Sequence, residues 1–281
     1  MTFASLLKNL KLFDSHCHLN DSSFDPDRNE VVERALKNGV EAIVDIGIDI
    51  KSSKKAIQNA EKYDSVYAAV GVDAENLIPG SDLFQKELFE LPDVEFDKKL
   101  GQLKKELSEL ASHDKVIMIG ETGMDDYWLQ KSIEEEKIAE GDREESLKRQ
   151  EKMFRVHCEI AKEKGKPLSI HSRNAIEKCL QVLEEKKVPE DLAVFHSLTP
   201  DIKDSEKEFE QKVRRILGQG YLIGVNGIVT FKNADLIRNV YKKFFTLGED
   251  LEKMYEAGFI FETDAPFLAP EPKRGERNEP G

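Results

Sequence analysis

Eight short apolar runs, separated by longer helical patterns, are the feature that most constrains the fold of this chain. The runs lack clean polar alternation, which is typical of parallel strands buried on both faces. Eight such strands with helices between them favour a closed α/β barrel over an open sheet, so we predict a (β/α)8 TIM barrel. The predicted strands are Leu12–Ser15, Ala42–Ile46, Val66–Val70, Val116–Ile119, Pro167–Ile170, Ala193–Phe195, Tyr221–Gly224 and Phe259–Glu262.

Helical periodicity between the strands is clearest over Arg28–Lys37, Ser52–Lys62 and Glu144–Lys164. The length of 281 residues suits one barrel of about 250 residues, so residues 1–281 are predicted to form a single barrel domain. Three glycines occupy positions typical of the residue that follows a helix, namely Gly39, Gly165 and Gly220.

Three stretches depart from this repeating pattern. Glu75–Asp97 is loop-like and Asp126–Asp142 is acidic, so both are interpreted as insertions, whereas Lys203–Lys212 is interpreted as the solvated face of a helix. After the eighth predicted strand the chain reads PFLAPEPKRGERNEPG and ends. Because a complete barrel ends with an eighth helix, we expect that helix to be missing from this chain.

Charge and cysteine content restrict the possible functions. A formal net charge of −13 argues against tight coating of nucleic acid, although it permits a nuclease with few phosphate contacts and bound divalent metals. The three cysteines, Cys17, Cys158 and Cys179, form no CxxC pair, which favours a reducing compartment over a disulfide framework. The N-terminus shows no signal peptide and no membrane span, so we predict a cytoplasmic protein without membrane contact.

His16 and His18 flank Cys17 at the end of the first predicted strand. Residues two apart on a strand point to the same face, so both imidazoles are expected to point into the barrel mouth. Cys17 is then expected on the opposite face, as a small core residue. An HxH pair alone is a weak indication of metal binding.

Four other predicted strands also end in residue types that bind metals. Glu121, His171, His196 and Asp264 each follow an apolar run, and barrels build their active sites at the carboxyl ends of the strands. Imidazole and carboxylate ligands suit zinc, manganese or iron and, with more oxygen ligands, magnesium. The joint pattern predicts a metal centre that none of the four residues indicates alone.

Each residue also has a purely structural interpretation. Glu121 is an ion-pair partner in that interpretation, and His171 or Asp264 caps a neighbouring segment. His196 has no further sequence signal in its favour. For two histidines within helical patterns, His113 and His157, we favour ordinary surface or packing roles.

Five motifs resemble the TatD family of metal-dependent deoxyribonucleases, within the amidohydrolase-like barrels. They are DSHCHLN, GETGMD, PLSIHSR, GVNGIVTFKNA and ETDAPFLAPEPKRGERNEP, and the resemblance runs from about Leu12 to the last residue. It implies a (β/α)8 barrel that carries a metal-dependent hydrolase centre at its mouth. Two departures stand out: GVDAEN where the family often has His-Pro after the third strand, and His196-Ser197-Leu198 where it has His-Cys-Phe.

When the family's ligand positions are carried over to this sequence, the resemblance implies two divalent metal ions. Mg²⁺, Mn²⁺ and Zn²⁺ are all candidates for them. His16 and His18 would bind the first ion, and His171 and His196 the second. Glu121 would bridge the two ions and act in catalysis. The catalytic Asp264 would bind the first ion and a water molecule.

The expected reaction is phosphodiester hydrolysis in DNA, by a 3′–5′ exonuclease that acts on single-stranded or frayed ends. Arg173, Lys232 and Arg274 are the candidates for phosphate contacts. No obligate protein partner is predicted. The alternatives are a hydrolase of a small-molecule amide, ester or phosphoester on the same site, and a metal-binding protein with weak or no catalysis.

Overall fold

Eight parallel strands form one sheet in the order β1 to β8, in a computed structural model that describes residues 12–245 and 251–281. Alternating helices cover this nearly closed barrel, which confirms the predicted (β/α)8 fold. The strands are β1 Phe13–Cys17, β2 Ala42–Ile46, β3 Val66–Val70, β4 Val116–Asp125, β5 Leu168–Arg173, β6 Ala193–Phe195, β7 Leu222–Val225 and β8 Phe259–Phe261.

Backbone hydrogen bonds link the ends of β1 and β8. His18 N donates to Ala265 O at 2.7 Å, and Asp264 N donates to His16 O at 2.8 Å. Asp264, three residues after the end of β8, is thereby fixed beside His16 and His18. Closure of the barrel and assembly of the predicted site therefore use the same residues.

Helices follow the strands around the barrel. In the described part they are α1 Arg28–Lys37, α2 Ile50–Lys62, α3 Lys86–Phe89, α4 Asp93–Leu110, α5 Tyr127–Glu134, α6 Glu140–Lys164, α7 Ile176–Lys186, α8 Glu206–Gly218, α9 Asp235–Tyr241 and α10 Leu251–Glu256. Short 3₁₀ helices lie at Ser22–Phe24, Ala74–Leu77 and Gly227–Thr230. The predicted helix-ending glycines have positive φ, at 93° for Gly39, 62° for Gly165 and 74° for Gly220.

The fourth strand differs most from its predicted bounds. It continues from Ile119 to Asp125, so Glu121 lies within the strand rather than after it. Its pairing with β5 shifts between Ile119 and Thr122, an irregularity that lets β4 carry several polar residues past the apolar run.

The stretches interpreted as insertions contain short helices. Asp126–Asp142 contains α5, and Glu75–Asp97 contains α3 and the start of α4. The charged run Lys203–Lys212 enters α8, whose buried residues are apolar, as expected for a helix with one solvated face.

Apolar side chains form two buried clusters. The larger one joins the outward faces of the strands to the helices, with large contributions from Phe24, Phe96, Phe154 and Phe209. The smaller one consists of residues that the strands themselves supply, as in the packed interior of a barrel. Its buried members are Phe13, Ala42, Val44, Ile46, Ala69, Ile117, Met118, Val194 and Ile260.

The C-terminal residues after β8 form turns and irregular structure over 262–281. Residues 1–11, for which the sequence predicts neither a signal peptide nor a membrane span, lie outside the described residues. Among the helices that the structure does describe, none has both the length and the apolar character needed to cross a membrane.

Candidate metal centre

Glu121 lies at the centre of the predicted ligands, because each of its carboxylate oxygens faces a different pair of histidines. Oε2 lies 3.5 Å from Nε2 of both His16 and His18. Oε1 lies 3.1 Å from Nδ1 of His171 and 2.9 Å from Nε2 of His196. One buried carboxylate from β4 thus joins two groups of ligands.

The first group adds Asp264 to His16 and His18. Asp264 Oδ1 lies 3.6 Å from His16 Nε2 and 3.3 Å from His18 Nε2, and the two nitrogens are 3.3 Å apart. Ligands bound tetrahedrally at 2.0–2.2 Å from one ion are roughly 3.4 Å apart. The separations therefore fit a shared divalent ion, and two neutral imidazoles with facing nitrogens are a suitable donor set for one.

The outer nitrogens of the rings meet partners that orient them. His16 Nδ1 lies 2.9 Å from Ser169 Oγ, and His18 Nδ1 lies 3.1 Å from the carbonyl oxygen of Ile46. A carbonyl oxygen only accepts, so Nδ1 of His18 carries a proton, and Nε2 is the nitrogen that a neutral ring would offer to a metal ion. This is the usual arrangement around metal-binding histidines.

Burial and mutual charge set the protonation of this cluster. Burial opposes ionisation of Glu121, but the charge of His196 and the hydrogen bond from His16 outweigh it and hold the pKa of Glu121 well below its usual range. Burial likewise opposes the charged form of His18, but the bond to Asp264 and the charge of Glu121 raise its pKa to about 9. The protons on the imidazoles balance the negative charge of the carboxylates in this cluster. A divalent cation would balance the same charge if the rings bound it in their neutral form.

A family model described as "TatD related DNase" matches residues 13–281 of this sequence. The chain belongs to the TatD family. The resemblance seen in the sequence motifs is therefore confirmed over nearly the whole chain.

Relatives within the TatD family cover nearly all of this chain. "Uncharacterized metal-dependent hydrolase YabD" of Bacillus subtilis (strain 168) is 32% identical over 96% of this chain and 86% of its own length. "Uncharacterized metal-dependent hydrolase TatD" of Mycobacterium tuberculosis (strain ATCC 25618 / H37Rv) is 30% identical over 96% of this chain and 85% of its own length. The crystal structure of YJJV, a TatD homolog from Escherichia coli K12, superposes with a TM-score of 0.70 at 25% identity, covering 96% and 85% of the two chains. This chain is accordingly a metal-dependent hydrolase with residues capable of binding metal.

Sequence reasoning missed three carboxylates that contact or approach the centre. Asp125 Oδ2 lies 2.8 Å from Nε2 of His171, on the side of the ring away from Glu121. Glu262 Oε1 lies 3.7 Å from Nδ1 of His196. The third, Asp73, follows β3 and shares a possible metal-binding group with Glu121 and His171.

A signal for the first two existed in the sequence. Asp125 lies four residues after Glu121 on the same strand, and Glu262 lies two residues before Asp264. Even spacing places residues on one face of an extended segment, so the two carboxylates were candidates for the sides of the metal centre. The segment that contains Asp73 has no predicted ligand at an even spacing from it.

Backbone conformation adapts to the site at two positions. Asp264 adopts a φ of 57°, in the left-handed region that non-glycine residues seldom occupy, and this turns its side chain back toward the end of β1. Gly123 adopts a φ of 134°, and a Cβ there would collide with the carbonyl oxygen of His171. The glycine of the GETGMD motif therefore allows β4 and β5 to approach closely beside a ligand.

The two histidines and the cysteine for which we expected packing or surface roles contact other groups. His157 is buried in α6, where its Nε2 accepts from Val72 N at 3.0 Å and its Nδ1 lies 2.9 Å from Met153 O. His113 is partly exposed and pairs with Glu61 at 3.2 Å. Cys17 is fully buried in the apolar cluster outside the barrel.

A cavity of about 600 Å³ opens over the cluster. Its lining includes His18, Glu121, His171, His196 and Asp264, which places the predicted centre at the floor of a pocket. A cavity of about 680 Å³ lies near the other ends of the strands, but none of the predicted ligands lines it.

The three candidate phosphate-binding residues occupy different places. Arg173 lines the pocket, and its guanidinium carbon lies 4.1 Å from the ring centre of Tyr127 and 5.2 Å from that of Trp128, within cation–π distance. Lys232 and Arg274 are exposed and are absent from the pocket lining. Among the described residues, none of the three has a carboxylate within ion-pairing distance, so each charge stays available to a ligand.

Proposed function

We propose that this chain is a divalent-metal-dependent deoxyribonuclease that removes nucleotides from the 3′ ends of single-stranded or frayed DNA. The observation that carries this proposal is the position of Glu121, whose two oxygens each face a different histidine pair at the floor of the pocket. The description of the matching family model as a DNase supports the substrate class.

The proposed ligand set has two parts. His16, His18 and Asp264 would hold the first ion, His171 and His196 would hold the second, and Glu121 would contribute to both. Two bound divalent ions lower the pKa of water and stabilise the charge on the attacking and leaving oxygens of a phosphodiester. Mg²⁺, Mn²⁺ and Zn²⁺ are the ions to test, because the donors combine imidazole nitrogens with carboxylate oxygens.

Asp264 is the proposed proton acceptor for the attacking water. Burial opposes its ionisation, but the bond from His18 and the charge of His196 hold the pKa of Asp264 below its usual value. Its Oδ1 faces the two histidines of β1, and its Oδ2 accepts no hydrogen bond from any described residue. An ionised carboxylate with one oxygen to spare is suited to orient water and take its proton.

The pocket wall supplies proposed contacts for a nucleotide. The guanidinium of Arg173 lies over the rings of Tyr127 and Trp128, so these rings help to position it while its N–H groups meet a phosphate. Phe267, at 55% exposure, also lines the pocket and lies near His18. Exposed aromatic rings stack with unpaired bases without regard to sequence, which suits single-stranded ends. Lys232 and Arg274 are proposed to contact phosphates further along the strand.

A small-molecule ester, amide or phosphoester is the second candidate substrate. The pocket volume of about 600 Å³ lies within the range of small-molecule sites, and the net charge of −13 gives no general attraction for DNA. The two candidates differ in salt dependence, since binding of a polyanionic strand weakens steeply as salt rises.

The deciding experiment uses single-stranded DNA labelled at the 3′ or the 5′ end, with chelator or with each metal in turn. We expect stepwise loss of the 3′ label only when metal is present, and roughly a hundredfold or greater loss of rate in Asp264→Asn, the range that general bases contribute. His113→Gln, which changes a surface histidine, serves as the matched control. Intact DNA together with turnover of small esters or amides would replace the nuclease by the second candidate.

A further inference from the structure

Asp73 lies three residues after the end of β3 and is fixed in place by four hydrogen bonds, one of which Asn76 N donates to its carbonyl oxygen at 3.2 Å. Its N–H donates to Ile48 O at 3.0 Å, and its carbonyl oxygen accepts from Asn76 Nδ2 at 3.0 Å. Its Oδ1 accepts from Glu75 N at 2.8 Å, at the start of the 3₁₀ helix Ala74–Leu77. The orientation of the carboxylate is therefore set by the chain itself, without help from a ligand.

The second oxygen of this carboxylate lacks a partner. Asp73 is only 3% exposed, and its Oδ2 is buried without a hydrogen bond from any described residue. A buried carboxylate oxygen that gains neither a hydrogen bond nor solvent costs free energy. Such an oxygen at a pocket that holds metal-binding side chains is a candidate ligand atom.

The surroundings of Asp73 carry negative charge. One of its carboxylate oxygens, an oxygen of Glu121 and a ring nitrogen of His171 all lie within 4.8 Å of one another. Glu75 and Asp125 add further negative charge to Asp73 and its neighbours. His171 pairs with Glu121 and Asp125, but among the described residues no lysine or arginine forms an ion pair with any of these carboxylates. Like charges repel strongly when they are buried.

We infer that Asp73 is a further ligand of the second metal ion, beside Glu121 and His171. The inference rests on the two-ion centre proposed above. A cation at this point would partner the unmatched oxygen and offset the repulsion between the two carboxylates. Capping of the 3₁₀ helix explains the role of Oδ1 but not the burial of Oδ2 without a hydrogen bond.

Asp73 changes the donor set of the second ion. Without it, His171, His196 and Glu121 would offer that ion two nitrogens and one carboxylate. With Asp73 the second site has two nitrogens and two carboxylates, the same donor types that the first ion would receive. Carboxylates favour harder cations, so Asp73 should strengthen the binding of Mn²⁺ relative to Zn²⁺ at the second site.

Binding of Mn²⁺ to the metal-free protein tests this assignment without any measurement of activity. Equilibrium dialysis and calorimetry would compare the wild type with Asp73→Asn, which keeps a capping oxygen and removes the charge. We expect two Mn²⁺ per wild-type chain. In Asp73→Asn the Kd of one ion should rise about tenfold or more, the range already seen when partners outside the ligand set are removed.

Asp82→Asn is the matched control, because Asp82 is an exposed acidic residue on the same pocket wall and outside the ligand cluster. Thermal unfolding in chelator gives a second readout, in which Asp73→Asn should raise Tm because it removes a repulsive charge. Two ions bound with unchanged affinities in Asp73→Asn would overturn the assignment and leave the proposed function intact. Fewer than two Mn²⁺ on the wild type would overturn both.

Discussion

The histidines at the barrel mouth and the histidine in α6 are all buried, but they contact different kinds of groups. The mouth histidines, by which we mean His16, His18, His171 and His196, each have a nitrogen within 3.5 Å of Glu121. His157 instead lies between two backbone groups and faces no carboxylate. The same side chain thus serves as a metal-ligand candidate in one region and as a packing residue in the other.

Protonation separates the two kinds of histidine. For His196, burial is outweighed by the charge of Glu121 and the pKa rises well above its usual value. His171 behaves in the same way through its bonds to Asp125 and Glu121. Burial of His157 is opposed only weakly by the bond to Met153 O, and its pKa falls to about 4. Within the mouth, His16 is an exception, because burial and the charge of His196 lower its pKa. The pKa of a buried imidazole in this protein therefore depends more on its partners than on its burial.

Glu121→Ala should produce the largest effect, because it removes the partner that all four mouth histidines share. Loss of metal-derived stabilisation worth several kcal/mol corresponds to roughly a thousandfold fall in the rate of DNA cleavage. Metal content measured after dialysis should fall with it. If the variant kept both ions and the wild-type rate, Glu121 would not belong to the centre. A shared partner would then no longer distinguish the mouth histidines from His157.

The packing role of His157 predicts a pH effect on stability. Its folded pKa is lowered to about 4 from 6.5, so between these values the unfolded chain takes up a proton that the folded chain does not. This contribution to stability is present above pH 6.5 and is lost as the pH falls toward 4, and the shift corresponds to about 3 kcal/mol.

His157→Gln can keep an acceptor for Val72 N and does not titrate. Denaturant unfolding in chelator, measured from pH 7 to pH 4, should show the wild type losing about 3 kcal/mol more stability than this variant. Metal affinity should be unchanged, since His157 contacts no ligand. Parallel pH profiles for the two proteins would contradict the assigned role, and His113→Gln controls for removal of a surface imidazole.

Arg173→Ala should give the smallest effect and shows whether substrate binding at the mouth extends beyond the histidines. Loss of one phosphate contact should raise KM for single-stranded DNA by roughly tenfold. It should also reduce the salt dependence of binding by about one ion. The bound metal should stay unchanged. Arg277→Ala is a suitable control, because Arg277 is already paired with Asp27 and Glu279. An equal effect in both variants would argue against a phosphate role for Arg173.

Much of the fold was predictable because the eight apolar runs are short, lack polar alternation and recur between helices. Strand ends were harder to predict. The extension of β4 to Asp125 depends on an irregular pairing with β5 that follows no apolar pattern. Short helices inside polar stretches, such as α5, were also missed as elements, since tertiary packing rather than periodicity determines them.

The ligand types at the strand ends were readable from the sequence alone, because a parallel barrel brings the carboxyl ends of all its strands to one rim. The sequence therefore determined that His16, His18, Glu121, His171, His196 and Asp264 would be candidates for one centre. Only the tertiary structure decided which oxygen of Glu121 faces which histidines. It also brought Asp73 beside them, with one carboxylate oxygen buried and unpaired. The reason is physical: strand order fixes the rim on which a residue lies, whereas side-chain direction and partners depend on local backbone turns and on contacts between segments distant in the chain.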